Sequence, residues 1–195
     1  MDWLRLRPSA IVCAFAVAVG ALAVAFAASP AGASSSKLTD ALLAPVSACP
    51  GSDQLGAPAA ELSEMSCLVD YARAKAGLPA IHKVKVLDRA ASLKIAADIK
   101  CGSFTHTPCG QPFEKVFAIA GYSPTTSYSV GENLAYGQDE LGSPQQIMDA
   151  WLNSPEHRAN LLSKDWKIFG LSVRTPPTFL GYNGIAIWAN EFAGA

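Results

Sequence analysis

Two histidines and one glutamate stand among turn-forming residues, where side chains are often presented for binding or catalysis. His106 lies between two cysteines in "CGSFTHTPCG", and Glu132 lies in the glycine-flanked "GENLAYG". His157 follows a Ser-Pro pair in "NSPEHRANLL". Zinc in catalytic sites commonly has three such protein ligands, imidazoles or carboxylates, and one open position. A 2-His-1-carboxylate metal site is therefore chemically plausible, although sequence spacing alone does not bring the three side chains together.

Each of these side chains also has a purely structural interpretation. His106 could cap a turn in a loop that a disulfide closes, and Glu132 could be a solvated surface carboxylate. His157 could be a half-buried packing residue. If Ser154 is the N-cap and Pro155 the first helical residue, His157 falls in the first turn. Free backbone N–H groups there favour a neutral imidazole, which can bind a metal or accept a proton.

The first 33 residues have the features of a secretory signal peptide. A basic start with Arg5 and Arg7 precedes an apolar run over residues 10–28. "SPAGASS" then supplies Ala31 and Ala33 at the small-residue positions of a cleavage site, which makes Ser34 the first mature residue. The alternative is an uncleaved membrane anchor, because a run of this length can span a bilayer. No later segment is long and apolar enough to cross a membrane.

Cysteine usage agrees with export. Cys13 leaves with the signal peptide, so the mature chain keeps four cysteines: Cys49, Cys67, Cys101 and Cys109. An even number in an exported protein predicts two disulfides, and four cysteines allow three connectivities. Sequence proximity favours pairing of the first two and of the last two. Zinc binding by the cysteines is less favoured because no C-x-x-C pair is present.

The charge balance argues against a nucleic acid partner. Removal of Asp2, Arg5 and Arg7 leaves 13 basic and 15 acidic residues, a mature net charge of −2. No basic stripe with interleaved aromatic residues is present, and phosphate binding depends on such positive charge.

Composition and periodicity divide the mature chain into a flexible N-terminal arm over residues 34–57 and one domain over residues 58–195. Apolar spacing predicts a helix from Pro58 that stops near Gly77, and a second helix with Asp88 as its N-cap and Gly102 past its end. A short third helix begins at Pro112. The following loop, over residues 123–142, contains "GENLAYG".

A capping box at Ser143 predicts a helix through Trp151, and "SPEHRANLL" predicts a further short helix. "KIFGLSV" and "IAIWANEF" alternate and are rich in β-formers, so they should form an antiparallel pair. Helices that precede strands along the chain indicate the α+β class.

Taken together, these motifs resemble the CAP superfamily, which comprises cysteine-rich secretory, antigen-five and pathogenesis-related-one proteins and is built on the SCP domain. "SFTHTPCG", "GENLAYG", "IMDAWLNSPEHRANLL", "FGLSV" and "IWANEF" occur in the order and spacing typical of its short bacterial members. The resemblance covers about Ala60 to Phe192. It implies an α-β-α sandwich, with a small antiparallel sheet between helical layers and a cleft on one side.

The resemblance also implies that His106, Glu132 and His157 converge in that cleft, where family members have been associated with metal ions such as zinc and several bind lipids or sterols. Many plant and animal members have a fourth, acidic group three positions after the helix tryptophan. Here that position is Ser154, so a metal should bind less tightly or with a water in the gap.

The same resemblance gives structural roles to other residues. Asn133 is expected to hold the Gly-Glu-Asn turn, Asn160 its own helix, and Arg158 a nearby carboxylate. The expected core comprises Trp151, Leu161, Leu162, Phe169, Val173, Trp188 and Phe192.

These features predict a secreted, non-catalytic binding domain with a divalent metal, zinc before others, at His106, Glu132 and His157. The expected partner is a small-molecule or lipid ligand, or a component of the cell envelope. The alternative is a secreted metal-assisted hydrolase of peptide or cell-wall bonds, with His157 or Glu132 as general base. A purely structural envelope module ranks third. HExxH, GxSxG and P-loop motifs are absent from the sequence.

Overall fold

The computed structural model describes residues 39–124 and 128–194. The predicted signal peptide, residues 1–33, therefore lies outside the described residues. Every helix in the described part is too short or too polar to span a lipid bilayer.

Five α-helices follow the predicted order, with a helical turn over residues 39–42 before them. They are α1 (Pro58–Lys75), α2 (Lys85–Cys101), α3 (Lys115–Ala120), α4 (Pro144–Asn153) and α5 (Pro155–Leu161). Short 3-10 turns at Pro108–Gly110 and Asp139–Gly142 complete the helical segments. Left-handed glycines end α2 at Gly102 and α3 at Gly121, where the absence of a Cβ permits the positive φ.

The strands form one four-stranded sheet. They are β1 (His82–Lys83), β2 (Ser129–Gln138), β3 (Ile168–Arg174) and β4 (Ile185–Gly194), in the spatial order β1-β3-β4-β2. β4 pairs antiparallel with both β3 and β2, as predicted for β3 and β4. The two-residue β1 adds a parallel edge to β3, so the sheet is antiparallel except at that edge.

Helices cover both faces of the sheet, which confirms the α+β sandwich. Alternate residues of β4 point to opposite faces. Ala186, Trp188 and Phe192 belong to the core cluster that contains the buried residues of α1 and α4. Ile187 and Ala189 pack instead with Ala91 and Ile95 of α2, among others.

The predicted core residues occupy this framework. Trp151, Leu161, Phe169, Val173, Trp188 and Phe192 are buried, whereas Leu162 is only partly buried and packs at the edge of the same cluster. The indole N–H of Trp151 donates to the Leu134 carbonyl at 3.2 Å, which joins α4 to β2.

The predicted loop over residues 123–142 is wrong, because its centre is the ten-residue strand β2. Gly131 and Gly137 weaken the strand pattern in the sequence, but close packing requires them. A Cβ at Gly131 would lie 2.7 Å from the Trp166 ring, and one at Gly137 would lie 2.1 Å from the Leu141 carbonyl oxygen.

Two predicted helix caps are also wrong. α2 begins at Lys85, before Asp88, and its N-cap Val84 has no side-chain cap. Asp88 instead accepts hydrogen bonds from the Leu171 N–H at 2.9 Å and from Lys83, which ties α2 to the sheet. α4 begins after Ser143 as predicted, but the Ser143 side chain makes no capping hydrogen bond.

The interval predicted as a flexible arm is described from Thr39 onward, and there it packs against the domain. Leu42 and Ala44 are buried in the core cluster, and a disulfide joins Cys49 to Cys67 of α1. Gln145 of α4 donates to the Ala44 carbonyl at 2.8 Å. Part of the predicted arm therefore contributes to the core.

Candidate functional site

The loop that carries His106 is fixed at both ends and in the middle. A disulfide joins Cys101 at the end of α2 to Cys109, which confirms the predicted pairing. Two α2 side chains one turn apart hold Thr105, the residue before His106. Lys94 Nζ donates to the Thr105 carbonyl at 2.6 Å, and the Asp98 carboxylate accepts from the Thr105 N–H at 3.2 Å. This support restricts the positions that the neighbouring imidazole can adopt.

His106 meets Glu132 directly. His106 Nδ1 lies 2.5 Å from Glu132 Oε1, and the same oxygen lies 3.3 Å from Lys94 Nζ. The side chains of Glu132 and Lys94 are only 1% exposed, while that of His106 is 15% exposed. The structure thus brings together two of the three predicted site residues, and the imidazole is the solvent-facing member of the pair.

A second buried glutamate lies behind this pair. Glu191 of β4 is the direct cross-strand partner of Glu132, and it points to the α2 face of the sheet by the alternation described above. Burial and the neighbouring Glu132 charge raise the pKa of Glu191 well above its ordinary value. In its protonated form Glu191 can donate to Glu132, which supplies a hydrogen to two carboxyl groups that otherwise only accept.

Asp98 completes the buried cluster. Burial raises the pKa of Asp98 to about 7, although Lys94 and the Thr105 N–H lower it and the Glu132 charge adds to the rise. Within the described residues, no N–H donor reaches Asp98 Oδ2, Glu132 Oε2 or either Glu191 oxygen. One buried ammonium therefore faces three buried carboxyl groups, and such a cluster retains protons because low-dielectric surroundings disfavour several uncompensated charges.

His106 and Lys94 also line a groove between α2 and the segment over residues 111–119. The groove has a volume of about 310 Å³. Its walls are mostly apolar, and its ionisable lining residues are Lys94, Lys100, His106 and Lys115. This volume lies near the lower end of the roughly 300–1,000 Å³ that ligand pockets occupy. The arrangement is an apolar trough with positively charged or imidazole groups along it.

His157 occupies the third position of α5, as predicted, and is buried. His157 Nδ1 lies 2.8 Å from Ser154 Oγ. The His157 carbonyl accepts from Asn133 Nδ2 at 3.0 Å. α5 is therefore held to β2 through Asn133, and convergence of the His157 side chain with the His106–Glu132 pair stays a prediction.

Asn133 and Asn160 form hydrogen bonds between secondary-structure elements. Asn160 Nδ2 donates to the Glu132 carbonyl and to Asn133 Oδ1, so both asparagines join α5 to β2. Arg158, expected to pair with a carboxylate, donates instead to the Leu152 carbonyl at 2.6 Å.

The predicted zinc site at His106, Glu132 and His157 stays a prediction. Within residues 39–124 and 128–194, no three His, Cys, Asp or Glu side chains are placed to hold a metal ion. His106 Nδ1 and Lys94 Nζ both contact Glu132 Oε1.

Sequence reasoning missed Lys94, Asp98 and Glu191. The signal for the first two was present, because Lys94 and Asp98 interrupt the apolar face that Ala91 and Ile95 define on α2. Glu191 is a charged residue whose neighbours on the same face of β4, Ala189 and Ala193, are apolar, which is also a recognisable signal.

Comparison with known proteins agrees with the fold and the motifs. Residues 68–179 match the model of the cysteine-rich secretory protein family, CAP. YkwD of Bacillus subtilis (strain 168), an uncharacterized protein, is 31% identical over 131 residues. That match covers 65% of this chain and 44% of YkwD, so the matched part is less than half of the relative.

Solved structures share the fold at lower identity. An extracellular protein of Bacillus anthracis with an SCP domain is 17% identical, with a TM-score of 0.57 over 71% of this chain and 41% of that one. An outer surface protein of Borrelia burgdorferi is 20% identical, with a TM-score of 0.57 over 69% of this chain and 92% of that one. A cysteine-rich secretory protein of Staphylococcus aureus is 16% identical, with a TM-score of 0.54 over 72% and 40%.

Proposed function

The chain belongs to the cysteine-rich secretory protein (CAP) family, and on that premise we propose that it is a secreted, non-catalytic domain that binds a small apolar or lipid-like ligand. The observation that carries the proposal is the apolar groove beside α2, which is lined by His106, the residue that contacts Glu132. Concave, mostly apolar sites with a few fixed polar groups are typical of ligand binding.

Two disulfides support export. Cys49–Cys67 and Cys101–Cys109 both close in the structure, and such bonds persist in oxidising compartments. The relatives described as extracellular or outer-surface proteins agree with this placement. The ligand would accordingly be a molecule available outside the cytoplasm, such as a lipid or a component of the cell envelope.

Burial of the acidic groups favours binding over catalysis. The side chain of Glu132 is 1% exposed and is engaged by both His106 and Lys94, so it cannot itself touch a substrate. The polar cluster supports the groove by holding Thr105 and His106 in place. Its role in this account is to make the groove rigid, which lowers the entropic cost of binding.

The test uses N-phenyl-1-naphthylamine, an uncharged apolar probe whose fluorescence rises in apolar surroundings. We expect saturable binding to one site in the wild-type protein. Ala97→Phe should abolish it, because Ala97 lines the groove and the larger ring would fill it. Ala74→Phe is the matched control, since Ala74 is an exposed alanine on α1. Absence of saturable binding by the folded wild-type protein would overturn the proposal.

A secreted hydrolase is the second candidate, and one observation favours it. The His106–Glu132 contact resembles the way in which a carboxylate orients an imidazole base in hydrolases. In this arrangement His106 would be the base, instead of His157 or Glu132 as predicted. Hydrolysis of peptide or cell-wall substrates that His106→Ala abolishes, without loss of fold, would establish this activity.

Zinc binding at His106, Glu132 and His157 stays a separate proposal for the same cleft. It would require the direct His106–Glu132 contact to open and His157 to approach. Calorimetric titration of the wild-type protein against His106→Ala/His157→Ala tests it, with His82→Ala as control because His82 is the third histidine and lies exposed on β1. Saturable binding heat that is lost only in the double variant would establish zinc binding at these residues. Absence of binding heat in every protein would exclude zinc binding in the cleft.

A further inference from the structure

We propose that the Cys101–Cys109 disulfide is a thiol–disulfide exchange site, which a dithiol reductant opens while the domain stays folded and the Cys49–Cys67 bond stays closed. Opening the bond would release the loop that carries His106. This site goes beyond the proposed function, because exchange at a disulfide needs no ligand in the groove. The accessibility of the two bonds, the backbone at Cys109 and the contacts of the loop carry the inference.

The two disulfides differ in how a reductant can reach them. Cys109 is exposed and Cys101 is half-buried. Cys49 is 1% exposed and belongs to the core cluster, against which Cys67 packs. Exchange begins when a thiolate attacks a disulfide sulfur, so its rate depends on access to that sulfur. A reductant can therefore attack Cys109 in the folded protein.

The Cys49–Cys67 bond is protected in a second way. Attack on the half-buried Cys67 would expel Cys49 as a thiolate within the apolar core. Burial of an unpaired charge is costly, so this route is slow unless the core opens first. Reduction of the two bonds should therefore be separable in the folded protein.

The backbone at Cys109 is strained. It has φ 52° and ψ 28°, in the left-handed region that residues with a Cβ rarely adopt. Among the four described cysteines, Cys109 alone has a positive φ, and the next residue, Gly110, has φ 68°. Such a conformation persists only where the surrounding structure holds it, and the disulfide is one of its restraints. Reduction lets this backbone relax, which favours opening of the bond.

The exchange balances with a dithiol as the electron donor. Its first thiolate attacks Cys109 Sγ, the S–S bond breaks, and Cys101 Sγ leaves as a thiolate that takes a proton from water. The second thiolate of the donor attacks the donor sulfur of the mixed disulfide, and Cys109 Sγ leaves and is protonated in turn. The donor is oxidised to a disulfide, and the protein gains two electrons and two protons.

The loop between the two cysteines forms part of the cleft. Thr105 and His106 bind the buried polar cluster described above, and His106 and Pro108 line the groove. After reduction these contacts still hold the loop near α2, but its far end at Cys109 is no longer fixed. The redox state of this one bond therefore sets the mobility of His106 and of part of the groove wall.

Selective reduction is the first test. The folded, oxidised protein is treated with dithiothreitol, free thiols are trapped with N-ethylmaleimide, and mass spectrometry identifies the labelled positions. We expect Cys101 and Cys109 to be labelled together, at least about tenfold faster than the other pair. Cys49 and Cys67 are the matched control within the same molecule. Equal rates for the two pairs, or earlier labelling of Cys49 and Cys67, would overturn the proposal.

Amide hydrogen exchange on protein in which only this bond is reduced and capped is the second test. We expect exchange at Thr105 and His106 to accelerate at least about tenfold, while the amides of α2 and β4 keep their protection. Unchanged exchange in the loop would show that the bond does not restrain it, and lost protection throughout would show that reduction unfolds the domain. Either result would overturn the proposal. Neither measurement uses a ligand, so failure of the proposed function would leave both unaffected.

Discussion

Glu132 and Glu191 lie directly opposite each other on adjacent antiparallel strands, with both side chains buried on the face that α2 covers. Like charges in this position repel, and burial makes the repulsion more costly. The pair is tolerated because Lys94 lies beside Glu132 and because burial raises the pKa of Glu191, which favours its uncharged form. The loop that carries His106 is anchored to this same cluster, so the stability of the cluster and the shape of the groove are linked.

Loss of the buried Lys94 ammonium should destabilise the protein strongly. Lys94→Met leaves Glu132 and Asp98 without their compensating charge, and breaking a buried pair costs about 3 kcal/mol or more in the free energy of unfolding. Urea unfolding measures the loss. Lys100→Met on the same helix is the control, because Lys100 is exposed and should change stability by less than about 0.5 kcal/mol. Equal stability of the two variants would show that the cluster is not held by Lys94.

The protonated cluster predicts a decline in stability as pH rises. The pKa of Asp98 is about 7 in the folded protein, against an ordinary value of 3.8. The folded state therefore binds this proton more tightly than the unfolded state, and its contribution is complete below about pH 4 and lost as pH rises through 7. Glu191, with its raised pKa, acts in the same direction.

Asp98→Asn should remove the Asp98 part of this decline. Comparison of the unfolding free energy at pH 4.5 and pH 7.5 should show a smaller drop in the variant, by on the order of 2 kcal/mol. Asp165→Asn, which changes an exposed aspartate, should keep the wild-type slope. A wild-type slope in Asp98→Asn would mean that Asp98 stays ionised in the folded protein.

The disulfide of the His106 loop should matter for local order as well as for stability. Cys101→Ser/Cys109→Ser should lower the unfolding free energy by about 2.5 kcal/mol, because the unfolded chain is no longer cross-linked. Amide hydrogen exchange at Thr105 and His106 should accelerate in this variant. In Cys49→Ser/Cys67→Ser the same amides should stay protected, since that bond pins the N-terminal segment instead.

Close packing of α2 on the sheet predicts that Gly170 cannot be replaced without loss of stability. A Cβ at Gly170 of β3 would lie 2.1 Å from the Leu87 carbonyl carbon and 2.3 Å from the Asp88 nitrogen, both backbone atoms that cannot rotate away. Gly170→Ala should therefore cost about 2 kcal/mol in thermal or urea unfolding. Gly56→Ala is the control, because a Cβ there meets nothing within 4 Å. An unchanged Gly170→Ala protein would show that α2 can move off the sheet.

The sequence predicts the elements whose pattern is local, and those predictions are confirmed. Apolar residues at helical spacing identified α1 and α2, and Ser-Pro pairs identified the starts of α4 and α5. Strand β2 was not predicted, because glycine has low strand propensity and the strand contains Gly131 and Gly137. The close approach of Trp166 and Leu141 explains why these two positions are glycines. The cap at Asp88 was wrong because its carboxylate satisfies the Leu171 N–H, a contact distant in sequence.

In the site, too, residues in local motifs were predicted and contacts distant in sequence were not. His106 and Glu132 stood out as ionisable residues in motifs, and the structure brings them together. The cluster behind them depends on the register that places Glu191 opposite Glu132, which no local pattern encodes. The groove depends on how α3 and the segment before it pack along α2, so its cationic lining could not be recognised from residue spacing.

The most direct test of ligand binding in the groove is titration of the purified, isotope-labelled protein with dodecanoate, followed by two-dimensional ¹H–¹⁵N NMR. We expect saturable shift changes that cluster at residues lining the groove, among them Leu93, Ala97, His106, Val116 and Ile119. The same titration of Ala97→Phe should not change these chemical shifts. Saturable changes confined to another surface, or none at all in the folded protein, would contradict the central claim.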